Sequence, residues 1–335
     1  ADGLPLYGET GALGILQIPP LDLLQVEVVK GAASALYGGS SLGGLVNLVS
    51  RRPIRDERDL LLNGSTLGGG DAVFFGSQGF GGPWGGTLLA GAHGQQRVDR
   101  DGDGMAEVPG YRRLTLRPRL FFDDRAGRTL LATAGLLVER REGGTLPGDT
   151  VPDGLPYALT QRTVRLDAGV SAGRPLGDRL ALRARAAGMM ARHRHVFGDT
   201  LDDDTHLSGL LEMTIGAPRG RLSWLAGAAL AVERFRSDSV PRYDYTFSAP
   251  ALFAQLDVGV SERLAIQASG RLDQHSEYGT QASPRFSLLW RAWGSWTLRL
   301  SGGLGYGAPT PFVEETDAIG LRPLTIPYRR RAERG

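Results

Sequence analysis

Long stretches of this chain alternate apolar and polar residues with a period of two, and nothing else in the sequence constrains the fold as tightly. In Arg113–Phe122, Leu114, Leu116, Pro118, Leu120 and Phe122 share one face, and Arg113, Thr115, Arg117 and Arg119 share the other. Thr163–Ala172 sets Val164, Leu166, Ala168, Val170 and Ala172 against Thr163, Arg165, Asp167, Gly169 and Ser171. Leu264–Asp273 repeats the pattern. In Trp296–Tyr306, Trp296, Leu298, Leu300, Leu304 and Tyr306 oppose Thr297, Arg299 and Ser301. Successive side chains of a strand point to opposite faces, so each stretch reads as a strand with one greasy and one wet face. About thirteen such strands follow one another from residue 59 onward. Many exceed the usual length of about 5–6 residues. A strand of ~12 residues rising ~3.3 Å each and tilted ~40° spans roughly 30 Å, enough to cross the apolar band of about 25 Å around a membrane β-barrel.

The connections between these strands alternate in length. Gly81–Pro83, Asp123–Arg128, Arg174–Asp178, Ala217–Gly220, Ser261–Glu262 and Trp293–Gly294 are short. Arg97–Gly110, Glu142–Tyr157, His195–Asp204, Arg236–Thr246 and the stretch from Ala308 are long, while Gly68–Gly70 is tight in a long slot. Short turns at one rim and long loops at the other characterise outer-membrane barrels. A soluble sandwich shares the period but has no reason to sort its loops, thirteen strands are too many for a lipocalin, and no fixed repeat marks a solenoid. The fold expected is an all-β antiparallel transmembrane barrel. Composition agrees. Lys+Arg is 38 against Asp+Glu 36, a net charge of +2, which argues against a nucleic-acid partner. Nearly all the basic residues are arginine. A hydrated lumen solvates them, whereas at mid-membrane on the lipid face each would cost roughly 2–4 kcal/mol. Cysteine is absent, which excludes disulfides, thiolate metal sites and a cysteine nucleophile. No apolar run approaches ~18 residues, so no helical span is expected.

Residues 1–53 have a different texture. Short apolar runs, Val26–Val29 and Leu45–Val49, stand between Gly and Ser clusters and read as strands of a small α/β unit. Residues 54–58 read as a linker, and 59–335 as the barrel. Leu21–Pro53, LDLLQVEVVKGAASALYGGSSLGGLVNLVSRRP, closely resembles the end of the plug domain of TonB-dependent outer-membrane receptors. The matching residues are Val26-Glu27-Val28, Lys30-Gly31, Ser34, Leu36-Tyr37-Gly38, Gly43-Gly44, Val46-Asn47 and Arg51-Arg52-Pro53. Asp2-Gly3 with Pro5-Leu6 is similar to the family's Asp-Gly-x-Pro strand end. Gly305–Glu315, GYGAPTPFVEE, is similar to the family's Gly-Phe-Arg-Ala-Pro-Thr stretch, with Gly307 where the family commonly has Arg.

The resemblance implies active uptake of a scarce, bulky ligand across the outer membrane of a Gram-negative bacterium, with no covalent step. It implies outer-membrane lipid around the barrel and the TonB energy-transducing complex as partner. It also implies a plugged 22-stranded barrel and an N-terminal TonB box, so the sequence is expected to be an internal fragment carrying a partial plug and an incomplete barrel. The plug motif is most similar to that of ferric-siderophore receptors, with cobalamin and carbohydrate as alternative ligands. A passive porin, an adhesin or a barrel lipase or protease needs no plug motif. Tyr37 in the plug, and Arg140, Arg141 and Tyr306 near outer strand ends, are candidate ligand contacts, the arginines through charge-assisted hydrogen bonds to an anionic chelate. The plainer readings are a packed aromatic and a solvated rim. Glu27 and Lys30 are candidates to hold the plug to the barrel, Lys30 against Glu314 or Glu315.

Two constellations have a metal reading. Asp99, Asp101 and Asp103, followed by Gly104 and Glu107, form the first half of a calcium loop. An EF-hand requires a bidentate Glu at its twelfth position, where this chain has Gly110, and no helices flank the segment, so a polar outer loop is the plainer reading. His193 and His195 share a strand face, and His206 is expected across the hairpin. Three imidazoles can hold a metal, but a hydrated lumen or rim is much the plainer reading. No His-Glu-x-x-His, phosphate loop or cysteine pair marks an enzyme, and no cofactor is implied.

Overall fold

The computed structural model describes residues 1–6, 17–30, 44–150, 155–217, 220–294, 296–310 and 332–334. The period-two stretches form one continuous antiparallel sheet. Its strands are β3 (Glu57–Ser65), β4 (Gly69–Gly81), β5 (Trp84–Gln95), β6 (Gly110–Asp123), β7 (Thr129–Gly144), β8 (Ala158–Leu176) and β9 (Leu180–Phe197). They continue as β10 (Thr200–Ala217), β11 (Leu222–Ser237), β12 (Tyr245–Gly259), β13 (Leu264–His275), β14 (Gly279–Ala282), β15 (Arg285–Arg291) and β16 (Thr297–Gly303). Each strand pairs with its sequence neighbour, except that β14 and β15 both lie along β13. The sheet has 14 strands, one more than the alternation suggests, because a short strand, β14, forms ahead of the expected strand at 282–292, which starts only at Arg285 after Pro284, a residue with no N–H for the ladder. Among the described residues the sheet does not close: β3 and β16 are its two edges.

The side chains sort as a membrane barrel requires. Outward rows run over nine residues on neighbouring strands, for example Leu114–Phe122, Leu130–Val138, Val164–Ala172 and Leu207–Ile215. At ~3.3 Å per residue and ~40° of tilt, such a row covers about 23 Å, close to the hydrocarbon band. Leu211 is 60% and Met213 57% exposed, with no second layer against them. All five tryptophans of the chain lie at the short-turn rim, beside the turns after β4, β10 and β15. Trp84 packs edge-on against Phe122 at 4.9 Å, and Trp290 lies 5.8 Å from Trp293. Indole favours the membrane–water boundary, so this rim marks one interface.

Two local expectations are corrected. The segment His195–Asp204 is no long loop: β9 continues to Phe197 and β10 starts at Thr200, so only Gly198, with φ of 57°, and Asp199 turn the chain. Tyr306 does not extend the outward row of β16, which ends at Gly303. It falls in a separate two-residue strand, β17 (Tyr306–Gly307), paired with β18 (Glu333–Arg334), and is buried.

The described part of the N-terminal unit is a hairpin of β1 (Leu23–Lys30) and β2 (Gly44–Ser50), entered through a 3-10 turn at Pro20–Asp22. Asp2 ties the first residues to this hairpin, its carboxylate accepting from the Ser50 amide and hydroxyl, both at 2.8 Å.

Candidate functional site

Facing away from lipid, β6, β7 and β8 carry charges that pair across strands. Arg117 on β6 and Asp167 on β8 form a bidentate pair at 2.7 and 2.8 Å, reaching over the intervening β7. The residue between them is Gly135, and a Cβ there would stand 2.4 Å from both Arg117 Nη2 and Asp167 Oδ2. Nearer the long-loop rim, Arg113 and Arg141 converge on Glu139, itself only 2% exposed. Burying these charges is tolerable because each is paired and hydrogen-bonded.

The plug enters this network. Gln17 Nε2 donates to Glu139 at 3.0 Å, and Arg165 donates to the Gln17 side-chain oxygen at 3.3 Å. Asp22, 1% exposed, pairs with Arg119 of β6, and Asp2 stands 3.8 Å from the same guanidinium. Arg185 of β9 bridges the Gly3 carbonyl and Glu212, the latter at 2.7 Å. Apolar contacts reinforce these ties. Leu4 and Leu6 are buried where Gly169 leaves the wall without a side chain, and Leu21 packs on Val73, Phe75 and Leu89. The first residues of the chain are therefore a stopper against the inner wall.

Of the residues singled out from sequence, Arg141 faces the lumen and joins the Glu139 cluster. Arg140 faces the opposite way, beyond the last outward apolar residue Val138, and pairs with Glu142 at 2.6 Å. Tyr306 is buried in β17. Glu27 is exposed and spends its carboxylate on its own hairpin, accepting from Asn47 at 2.8 Å and Gln25 at 2.6 Å. Tyr37, Glu314, Glu315 and the side chain of Lys30 lie outside the described residues. The residues that do tie plug to barrel, Asp22, Gln17 and Gly3, had one sequence signal: an acid, Asp22, inside the otherwise apolar Leu21–Leu24.

In the loop after β5, Asp99, Asp101, Asp103 and Glu107 bring carboxylate oxygens within 4.8 Å of one another. Each already accepts a backbone N–H: Asp99 from Gly102 and Gly104, Asp101 from Asp103, Asp103 from Met105, and Glu107 from Arg100. The amides of Gly102 and Gly104 hold the Asp99 carboxyl below the usual carboxylate range. At the rim of β9 and β10, His193 and His195 share Asp204, at 2.9 and 3.7 Å. His206 does not join them; its Nε2 lies 3.1 Å from Glu233. Beside it a ladder of aromatic rings, Phe235, Tyr245 and Phe247, stacks at 5.9 and 4.5 Å and lines the lumen below the loop after β11.

A polar stopper inside an antiparallel wall of this kind has a match at both ends. The family model of the TonB-dependent receptor plug domain matches residues 1–45, and that of the TonB-dependent receptor-like β-barrel matches residues 56–321. The chain belongs to the TonB-dependent receptor family. Among curated relatives, the ferrioxamine B receptor of Salmonella typhimurium is 49% identical over 55 residues, 16% of this chain and 8% of that protein. The iron-regulated outer membrane virulence protein of Vibrio cholerae is 23% identical across 89% of this chain and 46% of its own length. Among solved structures, the siderophore receptor PirA of Pseudomonas aeruginosa superposes with a TM-score of 0.71 at 19% identity, covering 92% of this chain and 54% of that one. The ferric yersiniabactin uptake receptor FyuA of Yersinia pestis gives 0.69 at 15%, covering 86% and 54%. The chain thus spans about half the length of these structural relatives and of the Vibrio protein, and far less of the ferrioxamine receptor. Membership of this family indicates the bacterial outer membrane.

Proposed function

We propose that these residues are the plug end and first barrel strands of a receptor that captures a ferric siderophore and imports it across the outer membrane of a Gram-negative bacterium. The observation that carries this reading is the stopper itself. Asp22, Gln17 and Gly3 are tied to the lumenal wall through arginines of three different strands. A passive pore gains nothing from a plug so fastened, whereas a pump driven from the periplasm needs a blocked path that force on the plug can open. The TonB complex is the partner that would supply that force. Bulky chelates suit long outer loops, and on this reading the lumenal Arg141, beside Arg113 on Glu139, meets an anionic one by charge-assisted hydrogen bonds. The names of the relatives support an iron chelate over other cargo. In the test, the receptor in outer-membrane vesicles is offered labelled ferrioxamine, ferric enterobactin, cobalamin and a maltooligosaccharide. Saturable retention of a ferric chelate alone is expected. Retention of cobalamin or the sugar instead would replace the siderophore reading.

A further inference from the structure

We propose that His193, His195 and Asp204 form a binding site for a divalent d-block cation of the zinc type at the lumenal rim of the β9–β10 hairpin. The three side chains sit on the same face of two directly paired strands. His193 stands opposite Asp204 in the register, and His195 lies one pleat toward the turn, opposite Asp202. Side chains two apart on one strand and directly across on the next are held within a few ångströms by the backbone alone. The pairing of β9 and β10 runs unbroken from Thr200↔Phe197 to Gly216↔Ala181, so the ligands ride on rigid ladder.

The distances suit coordination. Around an ion with bonds of about 2.0–2.2 Å, tetrahedral ligand atoms stand roughly 3.4 Å apart. The two Asp204 carboxylate oxygens lie near that spacing, Oδ1 at 2.9 Å from His193 Nδ1 and Oδ2 at 3.7 Å from His195 Nε2, and one ligand atom from each of the three residues falls within 4.8 Å of the others. Two imidazoles and a carboxylate are donors of the borderline class that zinc, cobalt and nickel prefer, and calcium does not. Surrounding groups fix the ligands. Phe197 stacks flat on the His195 ring at 5.8 Å with planes 4° apart. Asp202, 1% exposed, adds a second buried carboxylate at the register position opposite His195. The His193 side chain keeps 26% of its surface exposed, which gives an ion a way in and leaves room for a further ligand. On the outer face at this level lie Arg194 and Asp203, paired at 3.5 Å, so the site stands above the lipid-facing row that starts at Leu207 and within reach of outside water.

The test uses the receptor extracted from outer membranes in detergent, with heat-shifted gel migration confirming a folded barrel for every variant. Cobalt(II) is the probe, because a site with two imidazoles and a carboxylate gives it visible ligand-field bands. One cobalt ion per chain, displaced by zinc, is expected. His193→Gln and Asp204→Asn should each weaken binding by more than about tenfold, and His206→Gln should leave it within about twofold. Absence of stoichiometric binding by the folded receptor would overturn the site. Equal binding by the His193→Gln/His195→Gln variant, or loss on His206→Gln alone, would do so as well. The readout needs no siderophore, so it is independent of the uptake reading.

Discussion

Asp22 is nearly inaccessible, and its partner Arg119 belongs to another domain of the chain. Removing one member of such a pair leaves an uncompensated buried charge, which typically costs about 3–5 kcal/mol. The cost here falls on plug docking rather than on the barrel, whose strands are held by their own ladder. Asp22→Ala in the receptor should therefore loosen the plug and leave barrel folding intact. Limited proteolysis of vesicles should cut the first 50 residues faster while the heat-shifted barrel band persists. Equal plug protection in the variant would mean that Leu4, Leu6, Leu21 and the Arg185–Gly3 contact suffice. Gly135 matters for a different reason: the strand needs a residue without a side chain where Arg117 reaches Asp167. Gly135→Ala places a methyl group 2.4 Å from both partners. It should push the two charged side-chain ends apart and modestly lower the temperature of the heat-shift transition, because both ends can shift without moving the backbone. Restoring space by Arg117→Ala together with Asp167→Ala in the same background should recover part of the loss.

At the scale of elements, the strands were legible because an alternating row has one physical meaning. A side chain's face follows from its parity, and burial of Arg113, Arg117 and Arg119 beside exposed Leu114, Leu116 and Leu120 follows that parity residue by residue. Partners across strands were not legible. The Arg117–Asp167 and Gln17–Glu139 contacts join residues far apart in sequence; the register of β6, β7 and β8 makes the first, and the seating of the plug on the wall makes the second. The β9–β10 turn misled for a local reason. The mostly polar residues 199 to 204 look like loop, yet Asp202 and Asp204 are inward strand residues on the lumenal face of β10. The loop after β5 shows the reverse: its acids close an irregular turn. Because the Asp99 carboxyl is held below the usual carboxylate range by the Gly102 and Gly104 amides, its contribution is present above the unfolded-state value and is lost as pH falls through the lower folded value. Protection of those two amides from hydrogen exchange should persist at neutral and mildly acidic pH and collapse only below that range. A midpoint at or above the ordinary value for aspartate would show that the carboxylate does not hold the loop.

At the scale of the molecule, the decisive feature is a sheet with two ends. Along the outer side of β3, Leu60 and Leu62 are 66% and 71% exposed; along β16, Leu298 and Leu300 are 53% and 64% exposed. These strands carry the lipid-facing pattern, yet among the described residues each has a neighbour on one side only. In hydrocarbon an open edge is far worse than in water, because every unpaired N–H and C=O loses its solvent partner at a cost of several kcal/mol. A row of such groups outweighs the 5–15 kcal/mol by which whole domains are ordinarily stable. The 335 residues expressed alone should therefore give no monomeric, heat-shifted barrel. Edge should seek edge, either within an abnormal smaller ring or between copies, and light scattering of the detergent-solubilised protein should report oligomers. A monodisperse monomer with the heat shift of a closed barrel would mean that residues beyond the described strands seal the gap. Transport by cells carrying only these residues would carry the same message, since a plug can gate a path only when the wall around it is complete.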